Sequence, residues 1–519
     1  MSADGGASSG RPPGDQAGDL AVGLPPTRYD YRAPVQAAAQ LGAVHIVGIG
    51  GAGMSGIARM LLSLGVRVSG SDARPGEALT ALAALGARVF VGHDDAHLGG
   101  VDTVVVSSAI RDDNPELAGA RARGLLVLHR AQALAALAAA APVAARIAVA
   151  GANGKTTTSA MLAVATTFAG LDPSYAIGGD PVDLPGNAYL GQGDEFVIEA
   201  DESDGSFVAY RPHLAVVTSV QADHLDFYGD LAAVQAAYRA FVATIEPGGL
   251  LIACADDPGA AQLADWAGAQ GLRVIRYGTA EGADVRVSQV QLDGLRAAAT
   301  VHVAGAGAGG GPAAYRMELA VPGAHNVLNA AGALAALHHG LPAGSPTDRA
   351  DPAQLPEWVA VLGRFTGVRR RFEQLGEAAG VRVVDDYAHN PAKVAAVVAT
   401  GLRAAGRGRL VVVFQPHLYS RTRDFAREFG TALAGADVLV GTDVYAARED
   451  PLPGVTGELI TDAARAAGAR EVHYVPALAD VPAAVAALAR PGDLVVTVGA
   501  GDVTTAGPAL LAGLAAGSR

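Results

Sequence analysis

Two stretches of the chain share one local order: a short apolar run, a turn crowded with glycine, then apolar residues at helical spacing. Residues 44–49 lead into Gly48-Ile49-Gly50-Gly51-Ala52-Gly53 and a helical pattern over 54–64. Residues 146–150 lead into Gly151-Ala152-Asn153-Gly154-Lys155-Thr156-Thr157, and the chain runs on as a helix past Lys155. A strand that turns tightly into a helix returns to its sheet beside a parallel neighbour, so this is the order of a doubly wound α/β sheet.

Further apolar runs extend both series. Residues 66–69, 101–107 and 125–129 read as strands of the first, and 196–200, 214–220 and 250–253 as strands of the second. The texture then changes. Residues 285–292, 297–303 and 315–321 read as antiparallel strands, split by the Gly-rich turn 304–312, and a helix over 324–339 closes this part. After a linker at 341–356 a third series places strands at 381–385, 410–414, 438–441, 471–475 and 494–498. The expected fold is α/β with three domains. These are a Rossmann-like N-terminal domain over 41–142, a central phosphate-loop domain with added antiparallel strands over 143–364, and a Rossmann-like C-terminal domain over 365–519. Residues 1–40, rich in Gly, Ser, Pro and Asp without periodicity, read as a disordered tail. No internal repeat stands out.

Composition agrees with several cores: 519 residues suggest roughly three domains of about 150. Half the chain is apolar and only 5% aromatic, so the cores rest on Ala, Val, Leu and Ile. The net charge of −13 argues against a general nucleic-acid or anionic-membrane binder. It leaves room for a phosphate-bearing substrate, which a backbone loop and one lysine can hold locally. The only cysteine, Cys254, excludes disulfides and cysteine-rich zinc sites and fits a reducing, cytoplasmic setting. No run of 18 apolar residues occurs, the Ala-rich 131–145 is interrupted by Pro142, and the N-terminus carries no export pattern.

The glycines of the first motif allow a tight turn and close backbone approach, so that a diphosphate can sit on the helix N-terminus. Asp72 follows at the end of the next strand, about where a Rossmann acid meets a ribose. From these residues alone NAD, another nucleotide diphosphate and a merely tight turn all remain open. The second motif ends like a phosphate loop, although it is not the full Walker pattern because position 149 is Val. Its backbone N–H groups can cradle phosphate, Lys155 can reach the β/γ oxygens, and the Thr156 hydroxyl can ligate Mg²⁺. Glu199-Ala200-Asp201-Glu202-Ser203-Asp204 ends an apolar strand of the same domain, and Asp223-His224 follows. Carboxylates beside a phosphate loop suit Mg²⁺, whereas the plainer alternative is a solvated acidic loop.

Three later runs carry further polar chemistry: Pro322-Gly323-Ala324-His325-Asn326-Val327-Leu328-Asn329, Arg369-Arg370-Arg371-Phe372-Glu373 and Asp385-Asp386-Tyr387-Ala388-His389-Asn390-Pro391. The last, together with Gln415-Pro416-His417-Leu418-Tyr419-Ser420-Arg421-Thr422, follows a strand of the third domain, where open sheets bind ligands. Helix caps at Asp386 and Ser420, and a solvated basic turn at 369–371, are the plainer readings.

Taken together and in this order, the motifs resemble the Mur ligase family from about Leu41 to the C-terminus. The resemblance replaces the NAD reading. It implies a first domain that holds a UDP-sugar through Gly48, Gly50, Gly51, Gly53, Met54, Ser55, Ser71, Asp72 and Ser107. It implies ATP bound by Gly151, Ala152, Asn153, Gly154, Lys155, Thr156, Thr157, Asn329, Arg371 and Asp386, with Mg²⁺ on Thr156, Glu199 and His224. Lys155, Glu199 and His224 would be the catalytic set, and Tyr387, His389, His417 and Arg421 the amino-acid pocket. The implied reaction is ATP-driven amide formation: the lactyl carboxylate of UDP-N-acetylmuramate becomes an acyl phosphate, which the amine of L-alanine attacks. A cytoplasmic monomer or weak homodimer, without nucleic-acid or membrane partners, is expected.

Three positions depart from the family pattern. Ala152-Asn153 stands for a common Thr-His, Asn390 for a second histidine after His389, and Leu418 where many relatives carry arginine. The rival readings are a murein-tripeptide recycling ligase of the same family, an NAD-dependent oxidoreductase and a nucleotide-sensing protein without catalysis. A diaminopimelate-adding ligase is disfavoured because Asp113-Asn114-Pro115 lies in the first domain and is followed by Glu116.

Overall fold

Val44–Val47 is buried at all four residues, which is what a strand covered on both faces requires and why its sequence is apolar rather than alternating. It lies at the centre of a five-stranded parallel sheet in the computed structural model. The order across that sheet is Arg88–Val91, Val68–Asp72, Val44–Val47, Thr103–Val106, Leu126–His129. The chain winds outward in one direction from the central strand and then returns to its other side. The glycine loop after Val47 therefore opens at the topological switch point, where such sheets bind ligands.

The structure describes residues 25, 27–140, 145–340, 352–447 and 449–517. By internal contacts these form two units: Met1–Lys155 with Asp194–Arg276, and Thr156–Gly193 with Tyr277–Arg519. Besides the five-stranded sheet, the first unit carries a second parallel set. There Ala145–Ala150 lies between Glu195–Glu199 and Leu214–Val217, and Leu250–Cys254 flanks the latter.

In the second unit, Val285–Asp293, Arg296–Val303 and Ala313–Leu319 form an antiparallel meander, and the helix Ala324–His339 packs against its first two strands. A six-stranded sheet follows in the order Glu373–Ala378, Val381–Asp386, Leu494–Val498, Leu410–Phe414, Val438–Gly441, Val472–Tyr474. Only its first pair is antiparallel. Leu410, Val412 and Phe414 enter one core while Val411 and Val413 enter the core on the opposite face, the period of two expected of a central strand.

Five strands have no counterpart in the sequence reading: Arg88–Val91, Arg273–Gly278 and Glu373–Ala378, with the short Ser174–Ala176 and Ala188–Tyr189. The first and third are half-exposed sheet edges: Val89-Phe90-Val91 is a run of only three apolar residues, and Glu373–Ala378 carries two glutamates. The tail reading needs correction at its C-terminal part. Tyr31 is buried, Ala38–Gln40 forms a turn of 3₁₀ helix, and Gln132 Nε2 donates to the Asp30 carbonyl. Tyr31 also packs edge-on against His129 at 5.2 Å. Tyr29 lies against the same His129 ring at 5.6 Å, so two aromatic side chains of this segment cover a buried partner. Residues 1–24 and the linker at 341–351 lie outside the described residues.

Candidate active site

The glycine loop is built by its own backbone. Gly48 takes φ +76°, and the N–H groups of Gly48 and Ile49 both donate to the Ser71 carbonyl, at 2.8 and 2.9 Å. Asp72 Oδ2 accepts from the Gly50 N–H at 3.0 Å, and a Cβ on Gly50 would stand 2.8 Å from that oxygen and from Leu79. Asp72 thus tethers the loop. The helix Ala52–Ser63 begins without a side-chain cap and without an acidic residue in its first turn, so its N-terminus offers bare donors to an anion. Met54 and Ser55 turn inward and are buried, Ser55 Oγ bonding back to the Ala52 carbonyl. Ser107 follows the strand Thr103–Val106 and is half-buried.

Beside Ser71 lies a buried charge that the sequence reading missed. Asn114 caps the helix Pro115–Ala122, Pro115 takes its first position, and Glu116 points inward with a side chain 0% exposed. Its carboxylate gathers the Ser71 hydroxyl at 2.5 Å, His97 Nδ1 at 2.7 Å, His93 Nδ1 at 2.9 Å and His45 Nε2 at 3.3 Å. Burial alone would raise its pKa, but hydrogen bonds from His45, Ser71, His97 and His93 outweigh this and hold it at about 2. The same hydroxyl-bearing residue therefore clamps the glycine loop through its backbone and the carboxylate through its side chain.

The phosphate loop is tied from behind. Gly151 sits at φ +140°, where a Cβ would run into Thr218. The Ala152 N–H donates to the Ser219 carbonyl at 3.3 Å, the Asn153 N–H donates to Ser219 Oγ at 3.0 Å, and Thr218 Oγ1 donates to the Asn153 carbonyl. These two N–H groups are committed to the protein. The donors open to a phosphate are those further on, at Gly154 and in the first turn of the helix Lys155–Phe168, which carries Thr156 and Thr157. Lys155 is no surface side chain: its ammonium donates to the Gly151 carbonyl at 2.6 Å and to Glu202 Oε1 at 2.7 Å. Glu202 is 3% exposed at the side chain, and burial raises its pKa against the opposing pull of Lys155.

Arg130 donates to Asp201, whose carboxyl is held at about 2; burial works against this, and Arg130 with the Ser203 N–H prevails. His224 takes a left-handed φ of +52° and sets Nε2 3.9 Å from Glu202 Oε1. Glu199 ends the strand Glu195–Glu199. Among the described residues no group of three His, Cys, Asp or Glu forms a ready metal cage. Mg²⁺ takes one or two carboxylates plus phosphate oxygens and water. Glu202 Oε2, buried without a hydrogen-bond partner among the described residues, is the kind of hard oxygen such a cation uses.

In the second unit the four expected pocket residues come together. Tyr387, His389, His417 and Arg421, with Leu418, Ala447 and Ala500, line a cavity of about 340 Å³. His389 Nδ1 lies 3.0 Å from the Tyr387 carbonyl, which only accepts, so that nitrogen carries the proton and Nε2 is left with its lone pair. Burial lowers the His389 pKa to about 4, which keeps the ring neutral. Arg421 Nη1 donates to the His389 carbonyl at 3.2 Å. Asn390 serves as the N-cap of the helix Pro391–Ala405, accepting from the Lys393 N–H at 2.8 Å.

Asp386 is no helix cap. Its two oxygens accept the Phe372 and Ala388 N–H groups at 2.8 Å each, and burial still raises its pKa to about 6. Arg371, between Arg370 and Phe372 at positive φ, is exposed, whereas Arg370 lies over the Tyr387 ring at 4.7 Å. Asn329 is buried and donates to Asn326 Oδ1 at 3.2 Å.

Three family models match in sequence order: the Mur ligase family catalytic domain over 43–142, its middle domain over 149–337 and its glutamate ligase domain over 370–501. The chain belongs to the Mur ligase family. Among relatives within it, the UDP-N-acetylmuramate–L-alanine ligase of Kineococcus radiotolerans is 55% identical, the match covering 92% of this chain and 98% of that one. The ligase of the same name from Saccharopolyspora erythraea is 52% identical, over 90% and 92%. Among solved Mur ligase structures, the UDP-N-acetylmuramate–alanine ligase MurC from Thermotoga maritima matches with a TM-score of 0.74 at 28% identity. That match covers 92% of this chain and all of the other. Membership accounts for the two glycine loops without an oxidoreductase, and the family uses ATP with Mg²⁺.

Proposed function

We propose that this chain joins L-alanine to the lactyl carboxylate of UDP-N-acetylmuramate at the expense of ATP, forming a peptidoglycan precursor. One observation carries the reading. A chain half identical to ligases of that name keeps a phosphate loop whose lysine is held against a buried carboxylate, and also a cavity of Tyr387, His389, His417 and Arg421. By this reading residues 41–142 hold the sugar nucleotide, 143–364 the ATP, and 365–519 the amino acid.

Lys155 neutralises charge on the transferring phosphoryl group, exchanging Glu202 for phosphate oxygens as ATP arrives. Thr156, Glu199 and His224 hold Mg²⁺, which supplies further neutralisation of the phosphates when bound. Asn329, Arg371 and Asp386 hold the nucleotide. In the amino-acid cavity the guanidinium of Arg421 matches a carboxylate, and the neutral His389 offers Nε2 as an acceptor toward the amine. A cytoplasmic setting, as for a ligase that uses ATP, is part of the proposal; among the described residues no helix is long and apolar enough to cross a membrane.

The test is phosphate release with UDP-N-acetylmuramate, ATP and Mg²⁺ while the amino acid is varied. Release that requires L-alanine supports the reading. Release driven instead by a murein tripeptide, or none with either, overturns it.

A further inference from the structure

The first helical turn after the glycine loop has a cation beside it that no motif includes. Arg130 opens the helix Arg130–Ala140, directly after the strand Leu126–His129. Its Nη1 lies 3.7 Å from where a Cβ on Gly53 would stand, against the first turn of Ala52–Ser63. Its Nη2 donates to Asp201. The fork is thus half used: one arm holds a carboxylate, while the arm nearer the loop makes no hydrogen bond to the described residues.

The charge balance says why this matters. Asp201, Glu202 and Asp204 cluster in one short segment, and the cations set against them are Lys155 and Arg130. Acids of this density, useful for a metal–nucleotide centre, repel any second polyanion bound nearby. A sugar nucleotide brings such a polyanion, its diphosphate. The glycine loop itself contains no basic residue, and neither does the first turn of its helix. Only a side chain reaching in from elsewhere can supply a fixed positive charge, and a guanidinium can do so while keeping a carboxylate on its other arm.

We propose that Arg130 is a binding residue for the diphosphate of the sugar-nucleotide substrate, screening it from Asp201. The assignment rests on the ligase reading above. Asp201 already fixes the plane of the guanidinium.

Arg130→Gln tests it in the full-length chain, with Asp201→Asn as the second variant. For Arg130→Gln the KM for UDP-N-acetylmuramate should rise about 10-fold or more, the worth of a lost charged hydrogen bond. The KM values for ATP and L-alanine should stay within about threefold of the parent, on the same scale. Calorimetric titration with UDP and with UMP should show the parent's preference for UDP shrinking in this variant. Asp201→Asn, which leaves the arginine in place, should not raise the sugar-nucleotide KM. The proposal is overturned if Arg130→Gln leaves that KM unchanged. It is equally overturned if all three KM values rise together with a lower melting temperature, or if Asp201→Asn matches Arg130→Gln, since each marks a structural latch. A parent that binds neither UDP nor UDP-N-acetylmuramate would sink the ligase reading itself. An active parent with an indifferent Arg130 would sink only this inference.

Discussion

Lys155 lies 2.7 Å from a carboxylate whose side chain is 3% exposed, so removing the lysine leaves that carboxylate buried without its partner, besides deleting the charge proposed to meet the transferring phosphoryl group. Breaking such a pair costs on the order of 3–5 kcal/mol, whereas replacing both members by neutral groups of similar shape costs little. Lys155→Met should therefore lose at least about 10²-fold in turnover and melt earlier. Lys155→Met combined with Glu202→Gln should regain the melting temperature but not the activity. A double variant that also regains turnover would show that Lys155 acts only structurally. In the cavity proposed for the amino acid, Arg421→Ala should raise the L-alanine KM by roughly 10- to 150-fold, with the ATP KM little changed. The contrary pattern in steady-state kinetics would move Arg421 to the nucleotide. Lys155, His389, His417 and Arg421 were legible because each is a chemically loaded side chain at a loop after a strand. The partners of Lys155 and Ser71, namely Glu202 and Glu116, were not, because no spacing says which carboxylate folds inward.

Local elements explain two departures from the family pattern. Asn390 is committed to capping the helix Pro391–Ala405, so its loss should cost about 1 kcal/mol of stability and leave the alanine KM nearly unchanged. If Asn390→Ala raises that KM tenfold at unaltered stability, the residue faces the ligand. Leu418, at φ +73°, precedes the short helix Tyr419–Asp424 and lines the cavity without offering a charge. Among the described residues, five of the nine non-glycine residues at positive φ are His224, Arg370, Phe372, Leu418 and Ala447, all in or beside candidate site loops. Such strain, about 1–3 kcal/mol each, persists where surrounding structure fixes the backbone for a purpose. None of it is visible in residue types that ordinarily avoid this region. Central strands were legible from their apolar runs, and edge strands such as Arg88–Val91 were not, since half-exposed strands tolerate charge.

Across the whole molecule two buried carboxylates pull stability in opposite directions with pH. Glu116, at about 2 when folded against 4.5 ordinarily, contributes stability that is full above about pH 4.5 and lost as pH falls toward 2. That window corresponds to about 3 kcal/mol. Asp386, raised to about 6 from 3.8, does the reverse: it contributes stability at low pH that is lost as pH rises from about 4 through 6. Glu116→Gln should thus be less stable than the parent at pH 7, the difference narrowing steadily as pH falls below about 4.5. Thermal melts from about pH 2 to pH 7, a range that covers both transitions, check this. A constant difference would mean that Glu116 is not ionised in the fold. The order of the three β-α series could be read from the sequence because each motif is local. The four-way meeting at Glu116 could not, because His45, Ser71 and the His93–His97 pair reach it from three separate segments.

The ties behind the phosphate loop carry a kinetic consequence. With the Ala152 and Asn153 amides already donating to Ser219, this part of the loop spends little conformational freedom when nucleotide arrives. Amide hydrogen exchange in the free protein should be slow at those two positions and unaffected by ATP. Protection on adding nucleotide should appear only from Gly154 onward, where the donors still look outward. ATP then docks on a rim set in advance, and its on-rate should be governed by encounter rather than by loop folding.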